Sequence, residues 1–201
     1  MTLWDWLHNI DQQFFSLINS EGALPAIDFL LLMLRNAITW VPLYAFMLFW
    51  IIRYHRKQAW QFILLSVATF AITDYGSASI LKPLFSRDRP CYDAELIPTM
   101  RTLVGCGGRN SFPSSHAANH FGIATFWFWA VFLLNGQKWR WLFVWALLIG
   151  YAQVYVGKHY PLDIVGGALF GWPVGIIMAK IFERWSPRSG KHPVSTFATP
   201  T

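Results

Sequence analysis

Residues Ala59 to Leu81 read Ala-Trp-Gln-Phe-Ile-Leu-Leu-Ser-Val-Ala-Thr-Phe-Ala-Ile-Thr-Asp-Tyr-Gly-Ser-Ala-Ser-Ile-Leu, and Asp74 is their only charge. At ~1.5 Å rise per residue, a helix over this stretch crosses the ~30 Å hydrocarbon layer of a bilayer. Backbone N–H and C=O groups in lipid must be paired internally, so the stretch is predicted to be a helix rather than a strand. Four more charge-poor runs flank it. Ala37 to Ile52 is brief and holds Pro42, and Ala117 to Leu134 is polar only at Asn119, His120 and Thr125. Trp141 to Val156 and Leu162 to Ala179 complete the set, the last with Asp163 near its start. The predicted fold class is all-α: a polytopic transmembrane helix bundle of about five spans.

Composition agrees. Of 201 residues, 55% are hydrophobic and 13% charged, against about 25% charged in a soluble domain. Disorder, a coiled coil and an ordinary water-soluble globule are poor readings of such a chain. The net charge of +6 could suggest nucleic acid, but the basic residues sit between apolar runs rather than on one face. Basic loops beside membrane spans attract anionic lipid head groups, so the expected partners are the bilayer and a membrane lipid, with no nucleic acid.

The connections predict orientation. Arg53, Arg56 and Lys57 lie between the first two spans, Lys138 and Arg140 between the third and fourth, and Lys180, Arg184, Arg188 and Lys191 after the fifth. The positive-inside rule puts these loops in the cytoplasm, with Trp50, Trp60, Trp139, Trp141 and Trp185 flanking them. Residues 1–36 then lie outside. Leu3, Trp4, Leu7, Ile10, Phe14 and Leu17 recur there at helical spacing, as in a helix lying in the interface, with a sixth span as the rival reading. Met1 to Ser20 has neither a basic start nor an uninterrupted apolar stretch, so no cleavable signal is expected. Residues 37–185 are expected to form the membrane domain, and residues 186–201 a loose tail.

The unusual polar residues all fall at outer span ends. Leaving the second span, the chain reads Lys82-Pro-Leu-Phe-Ser-Arg87-Asp-Arg89-Pro90. Entering the third it reads Ser111-Phe-Pro113-Ser114-Ser115-His116, and between the fourth and fifth Tyr155-Val-Gly157-Lys158-His159-Tyr-Pro161-Leu-Asp163. Three helix ends thus carry cations, two histidines and a carboxylate toward one membrane face. A phosphate group suits such a cluster. Arg offers it a planar fork and Lys a point charge, and the third span's start offers unpaired N–H groups at the positive end of a helix dipole. Lone juxtamembrane cations usually snorkel at the interface, but snorkelling does not account for histidines at the two neighbouring helix starts.

The His116/His120 and His159/Asp163 pairs are each spaced i, i+4, which also suits zinc ligands on one helical face. The cations argue for the anion pocket, because Lys82, Arg89 and Lys158 would repel a divalent metal. His120, one turn into the span, is expected to pack behind the site. Asp74, inside the second span, is expected either to face a polar interior and order the site or to lie near the interface.

Lys82 to Pro90 fits Lys-x6-Arg-Pro, the first signature of the type 2 phosphatidic acid phosphatase and vanadium haloperoxidase superfamily. Pro113-Ser114-Ser115-His116 resembles its second signature, Pro-Ser-Gly-His. Gln153 to Asp163 resembles the third, Ser-Arg-x5-His-x3-Asp, with Ala152 and Gln153 in place of the Ser-Arg pair. The resemblance covers about Ala59 to Ala179. It implies that His159 is a nucleophile that becomes phosphohistidine, that Asp163 orients its imidazole, and that His116 protonates the leaving oxygen and then activates water. It implies that Lys82, Arg89, Ser114 and Ser115 hold the phosphate, and that no metal or other cofactor takes part. Gln153 removes one charged fork from that clamp but is expected to bind phosphate through its donating amide. Lys158 is expected to bind phosphate as the compensating charge, with Arg87, Arg101 and Arg109 as further candidates.

Cys91 and Cys106 lie in the long outer loop from Arg87 to Phe112. In an oxidising space they are expected to pair, which would contribute ~3 kcal/mol and tie Arg89 to the helix start carrying His116. The function expected from these readings is a lipid phosphatase of a bacterial-type inner membrane, its pocket open to the extracytoplasmic side. A polyprenyl diphosphate such as undecaprenyl diphosphate, or a glycerophospholipid such as phosphatidic acid or phosphatidylglycerophosphate, is the leading expected substrate, with a lipid A phosphate as a further candidate. The alternatives are a zinc-dependent membrane hydrolase and a lipid-phosphate binding or transport protein without turnover.

Overall fold

The computed structural model describes residues 3–186, so the tail expected over 186–201 lies outside the described residues apart from Ser186. The described regular structure is helical, with one isolated bridge between Asp88 and Asn110. The helices are α1 (Leu3–Ser16), α2 (Asp28–Arg35), α3 (Val41–Tyr54), α4 (Ala59–Tyr75), α5 (Lys82–Phe85), α6 (Ser115–Asn135), α7 (Trp141–Tyr155) and α8 (Pro161–Trp185). A π-helical stretch over Gly76–Leu81 joins α4 to α5, so that Arg56–Phe85 forms one long span.

Ala37–Tyr54, Arg56–Phe85, Ser115–Asn135 and Pro161–Trp185 are each long and apolar enough to cross a membrane. The remaining expected span, α7, has only 15 residues. It is about 22 Å long at ~1.5 Å per residue, short of the bilayer core. At the N-terminus, Asp5–Glu21 and Pro25–Arg35 meet at a bend of 86° and make a fifth crossing only if they are taken as one broken span.

Apolar side chains point both ways. Met47, Trp50, Ile51, Phe62, Phe126, Trp127, Trp145 and Phe182 form the buried core shared by α3, α4, α6, α7 and α8. Phe29, Phe49, Val67, Leu84 and Leu169 face outward and are more than half exposed. So much outward apolar surface is stable only against lipid.

The bundle centres on α6 and α8, and small residues set their spacing. Gly167, Gly171 and Gly175 form a stripe on α8, and a Cβ on any of them would strike the α6 main chain at Ser114, Ala118 or Gly122. Without a hydrophobic force between helices in lipid, such close backbone approach is a main source of association. It also puts the two helix starts side by side: the Ser114 N–H donates to the Asp163 carbonyl at 2.9 Å. Deeper in, Thr73 donates to the Asn119 side-chain oxygen at 2.8 Å and the Asn119 amide donates to Asp74 at 2.9 Å. The carboxylate inside the second span is thus held by an amide of α6.

The N-terminal segment packs through a mixed face. Asp11, Gln12, Phe15 and Asn19 are buried, whereas Trp6, Phe14 and Leu17 are about half exposed. Of the apolar stripe read from the sequence, Phe14 and Leu17 face outward and Leu7 and Ile10 are half-buried, while Asp11, Gln12 and Asn19 meet the protein beside Phe15.

Candidate active site

Three helix ends and one loop build the site. The first segment leaves α5 and runs beside the start of α6. The Ser111 N–H donates to the Arg87 carbonyl at 2.7 Å, and the Arg89 N–H to the Arg109 carbonyl at 3.1 Å. Between them the loop is closed by a Cys91–Cys106 disulfide with Cα atoms 6.1 Å apart. The Lys82 ammonium reaches over the α6 start and donates to the Ser111 carbonyl at 3.0 Å and the Pro113 carbonyl at 2.8 Å.

Ser114 is the N-cap of α6, its hydroxyl accepting from the Ala117 N–H at 3.4 Å. The Ser115 hydroxyl oxygen is buried and has no partner among the described residues. His116 lies in the first turn of the same helix, half-buried and within Coulombic range of His159 and Lys82. Its carbonyl meets His120 Nδ1 at 2.7 Å, and the His120 ring packs edge-on against Trp145 with centroids 5.0 Å apart. His120 therefore supports the helix from behind.

The α7 end delivers the second histidine. The Gln153 carbonyl accepts from the Lys158 N–H at 3.0 Å and the His159 N–H at 3.3 Å, folding the chain back over the helix terminus. Gly157 permits this turn with φ +84°. His159 is 3% exposed, its Nδ1 lies 3.3 Å from Asp163 Oδ2, and its Nε2 lies 3.4 Å from Arg89 Nη1. Arginine can only donate, so Nε2 is the accepting nitrogen and the ring proton sits on Nδ1, directed at Asp163. Burial lowers the His159 pKa to about 4, with Asp163 opposing and Lys82 and Arg89 reinforcing the shift. The ring is neutral at physiological pH, and Nε2 carries its free lone pair.

Asp163 is saturated. Oδ2 also accepts from the Tyr160 N–H at 2.9 Å, and Oδ1 accepts from Arg87 Nη1 at 3.0 Å and from the Ser111 hydroxyl at 3.4 Å. Arg87 in turn pairs through Nη2 with Asp11 Oδ2 at 2.7 Å and lies over the Tyr160 ring, 4.1 Å from its centroid. Asp11 Oδ1 accepts from the Leu162 N–H at 2.9 Å, satisfying one of the orphan donors at the α8 start. The Tyr160 hydroxyl donates to Asp93 at 2.7 Å, and burial, reinforced by Asp93, pushes the phenol's pKa up. An acid on the N-terminal helix thus braces the carboxylate that orients His159.

Arg89 is also buried. Its Nε donates to the Gly108 carbonyl at 2.5 Å and its Nη1 to the Lys158 carbonyl at 3.2 Å. Burial lowers its pKa and the nearby Arg35 charge adds to this, against the opposing effect of Asp163. The Lys158 ammonium stands at the rim and donates to the Gly105 carbonyl at 2.5 Å. Among the described residues, no three His, Cys, Asp or Glu side chains come close enough together to hold a metal ion.

A family model for the PAP2 superfamily matches residues 59–187. The chain belongs to the PAP2 superfamily. It is 34% identical over 172 residues to a lipid A 4'-phosphatase of Bacteroides thetaiotaomicron, covering 83% of this chain and 74% of that protein. An undecaprenyl-diphosphatase of Sulfolobus acidocaldarius is 30% identical over 148 residues, covering 71% of this chain and 63% of the relative. The crystal structure of LpxE from Aquifex aeolicus superposes with a TM-score of 0.62 at 29% identity, covering 85% of this chain and 95% of that one. This PAP2 protein is a multi-pass membrane lipid phosphatase, a phosphoric ester hydrolase.

At one end of the bundle the PAP2 fold brings together Lys82, Arg89, Ser114, Ser115, His116, His159 and Asp163. Gln153 is fully buried below His159, and both of its amide atoms lack a partner among the described residues. Of the cations considered as replacements for the guanidinium missing there, Arg87 is held by Asp11 and Asp163. Arg101 pairs with Asp28, and Arg109 pairs with Asp88 at the surface. Sequence reading missed Asp11 and Tyr160 as supports. Their signal was faint: Asp11, Phe15 and Asn19 recur at helical spacing as one face, but polar positions at a chain start ordinarily read as solvated.

Proposed function

We propose that this PAP2 protein hydrolyses a lipid phosphomonoester by in-line attack of His159 Nε2 on phosphorus. The new N–P bond forms as the ester P–O bond breaks, and His116 donates its proton to the departing lipid oxygen. His116 then takes a proton from water, whose oxygen displaces His159 from phosphorus and releases inorganic phosphate. Asp163 holds the ring proton on Nδ1, so that the attacking lone pair stays available. Lys82, Arg89, Lys158 and the N–H groups at the α6 start would neutralise the charge on the equatorial phosphate oxygens. The reading rests above all on His159, whose two ring nitrogens face an acceptor and a guanidinium respectively.

The site is proposed to face the extracytoplasmic side of the inner membrane, because the basic connections lie at the opposite end of the bundle. A lipid A type phosphate is the leading substrate, supported by similarity to the Bacteroides phosphatase over most of both chains. A polyprenyl diphosphate is the second reading, favoured by similarity to the Sulfolobus enzyme. Phosphate release from lipid A, undecaprenyl diphosphate, phosphatidic acid and phosphatidylglycerophosphate, measured with EDTA present, tests both. Fastest turnover on lipid A, lost in His159→Ala, is expected. EDTA-abolished activity would favour the zinc hydrolase instead.

A further inference from the structure

Arg35 closes α2, and its position follows from the contacts on either side. Asp28, at the start of α2, accepts from the Tyr155 hydroxyl at 2.6 Å at the outer end of α7. Leu31 is buried against Ala152, Tyr155 and Val156. Beyond the helix, the Trp40 indole N–H donates to the Leu34 carbonyl at 2.7 Å, and its ring meets Trp145 with centroids 5.7 Å apart. The α2 helix therefore runs antiparallel along α7. Arg35, one turn past Leu31 on the same face, falls at a level between Ala152 and Trp145, where His120 also packs.

The Arg35 Nε is buried without a hydrogen-bond partner, and no carboxylate pairs with the side chain among the described residues. Its charge nevertheless reaches the site from this side. It lies within Coulombic range of His116 and, after burial, contributes to the lowered pKa values of both Arg89 and Lys158. Desolvating a guanidinium is costly unless an anion meets it, and like charges gathered around one space raise that cost. Such an arrangement is stable when an oxyanion occupies the space between them.

We propose that Arg35 is a phosphate ligand of this site, supplying from α2 the guanidinium that α7 lacks at Gln153. The proposal rests on the phosphatase reading above, and it makes the N-terminal segment part of the binding machinery. Arg35 approaches across the α2/α7 seam, whereas an arginine at position 153 would rise from α7 itself. The buried, unpartnered amide of Gln153 then acts as a neutral neighbour that leaves room for the incoming side chain.

The test uses full-length protein in detergent, with folding followed by thermal melting and size-exclusion chromatography. Removing one electrostatic partner of a transition state typically costs about 10²-fold, so Arg35→Gln is expected to lower kcat/KM by roughly that factor. It is also expected to weaken inhibition by orthovanadate at least ~10-fold, because each lost charge-assisted bond to an oxyanion is worth about that much. In the Arg35→Gln background, Gln153→Arg is expected to recover a large part of both losses. A folded Arg35→Gln protein with wild-type vanadate inhibition overturns the proposal. If Arg35→Gln fails to fold, Arg35→Lys takes its place, and unchanged vanadate inhibition in that variant counts against the idea in the same way. Inorganic phosphate binding to His159→Ala separates the two readings. Weaker binding on adding Arg35→Gln supports Arg35 whatever the nucleophile, and equal binding rejects it.

Discussion

Arg87 donates from Nη1 to Oδ1 of Asp163 at 3.0 Å, and both side chains are buried. Through Nη2 the same guanidinium reaches Asp11 on the N-terminal helix, so a segment outside the three motifs is tied to the carboxylate that orients His159. Asp11→Asn keeps the shape and removes the charge. It leaves Arg87 paired with the Asp163 carboxylate, beside the His8 and Tyr160 rings, drawing electron density from the bond to His159. We expect kcat to fall about tenfold with KM nearly unchanged, since charge-assisted bonds are worth ~1.5–3 kcal/mol and only part of that reaches the ring. Steady-state kinetics beside a melting curve checks this. A change confined to KM or to melting would reduce Asp11 to a structural contact.

The pH dependence follows from the same geometry. The His159 pKa is about 4, so the nucleophile is neutral above that and is lost only as pH falls through it. The acid limb of kcat/KM assigned to His159 should therefore lie well below the free-imidazole value of about 6.5. Arg89 reinforces this depression, so Arg89→Gln should move the limb upward as well as slow turnover. A pH–rate profile of the two proteins is the measurement, and a limb unmoved by Arg89→Gln would contradict the assigned electrostatics.

The glycine stripe of α8 carries a third prediction. Gly171→Val puts a side chain against the Ala118 carbonyl and the Gly122 backbone, forcing α6 and α8 apart. Overpacking of this kind costs about 1–3 kcal/mol, and here it also widens the gap between the α6 and α8 starts. Melting temperature and activity should fall together, although residue 171 lies far from the phosphate-binding residues.

Replacing Cys91 and Cys106 with serine should destabilise the outer loop. Their separation of 15 residues corresponds to ~3 kcal/mol of lost constraint on the unfolded chain. Arg89 lies two residues before Cys91, and its Nε rests on Gly108 two residues after Cys106. Activity should therefore fall at temperatures where the bundle itself remains helical, which parallel circular dichroism and turnover measurements would register.

Much of this was legible in the chain. Apolar runs locate the spans because lipid demands them, and the three polar clusters are conspicuous because charge at a span end is otherwise disfavoured. What periodicity does not reveal is the partner of a polar face. In the N-terminal segment Phe14 and Leu17 look outward while Asp11 and Asn19 are buried beside Phe15, a pattern that periodicity does not distinguish from a solvated polar face. Asn19 in fact donates to the carbonyls of Arg101 and Tyr155, contacts separated by 82 and 136 residues. Arg35 was equally silent, because a single arginine at a helix end ordinarily caps carbonyls or snorkels. Asp74 left two readings open, and only the fold brings Asn119 to it.

The most direct test of the account is to trap the intermediate. Wild-type protein mixed with a lipid monoester carrying labelled phosphate, and quenched in alkali within milliseconds, should hold label on histidine. Peptide mapping should place it on His159, with His159→Ala unlabelled and Asp163→Asn labelled far more slowly. Full turnover with no labelled histidine, or with undiminished turnover in His159→Ala, would contradict the central claim.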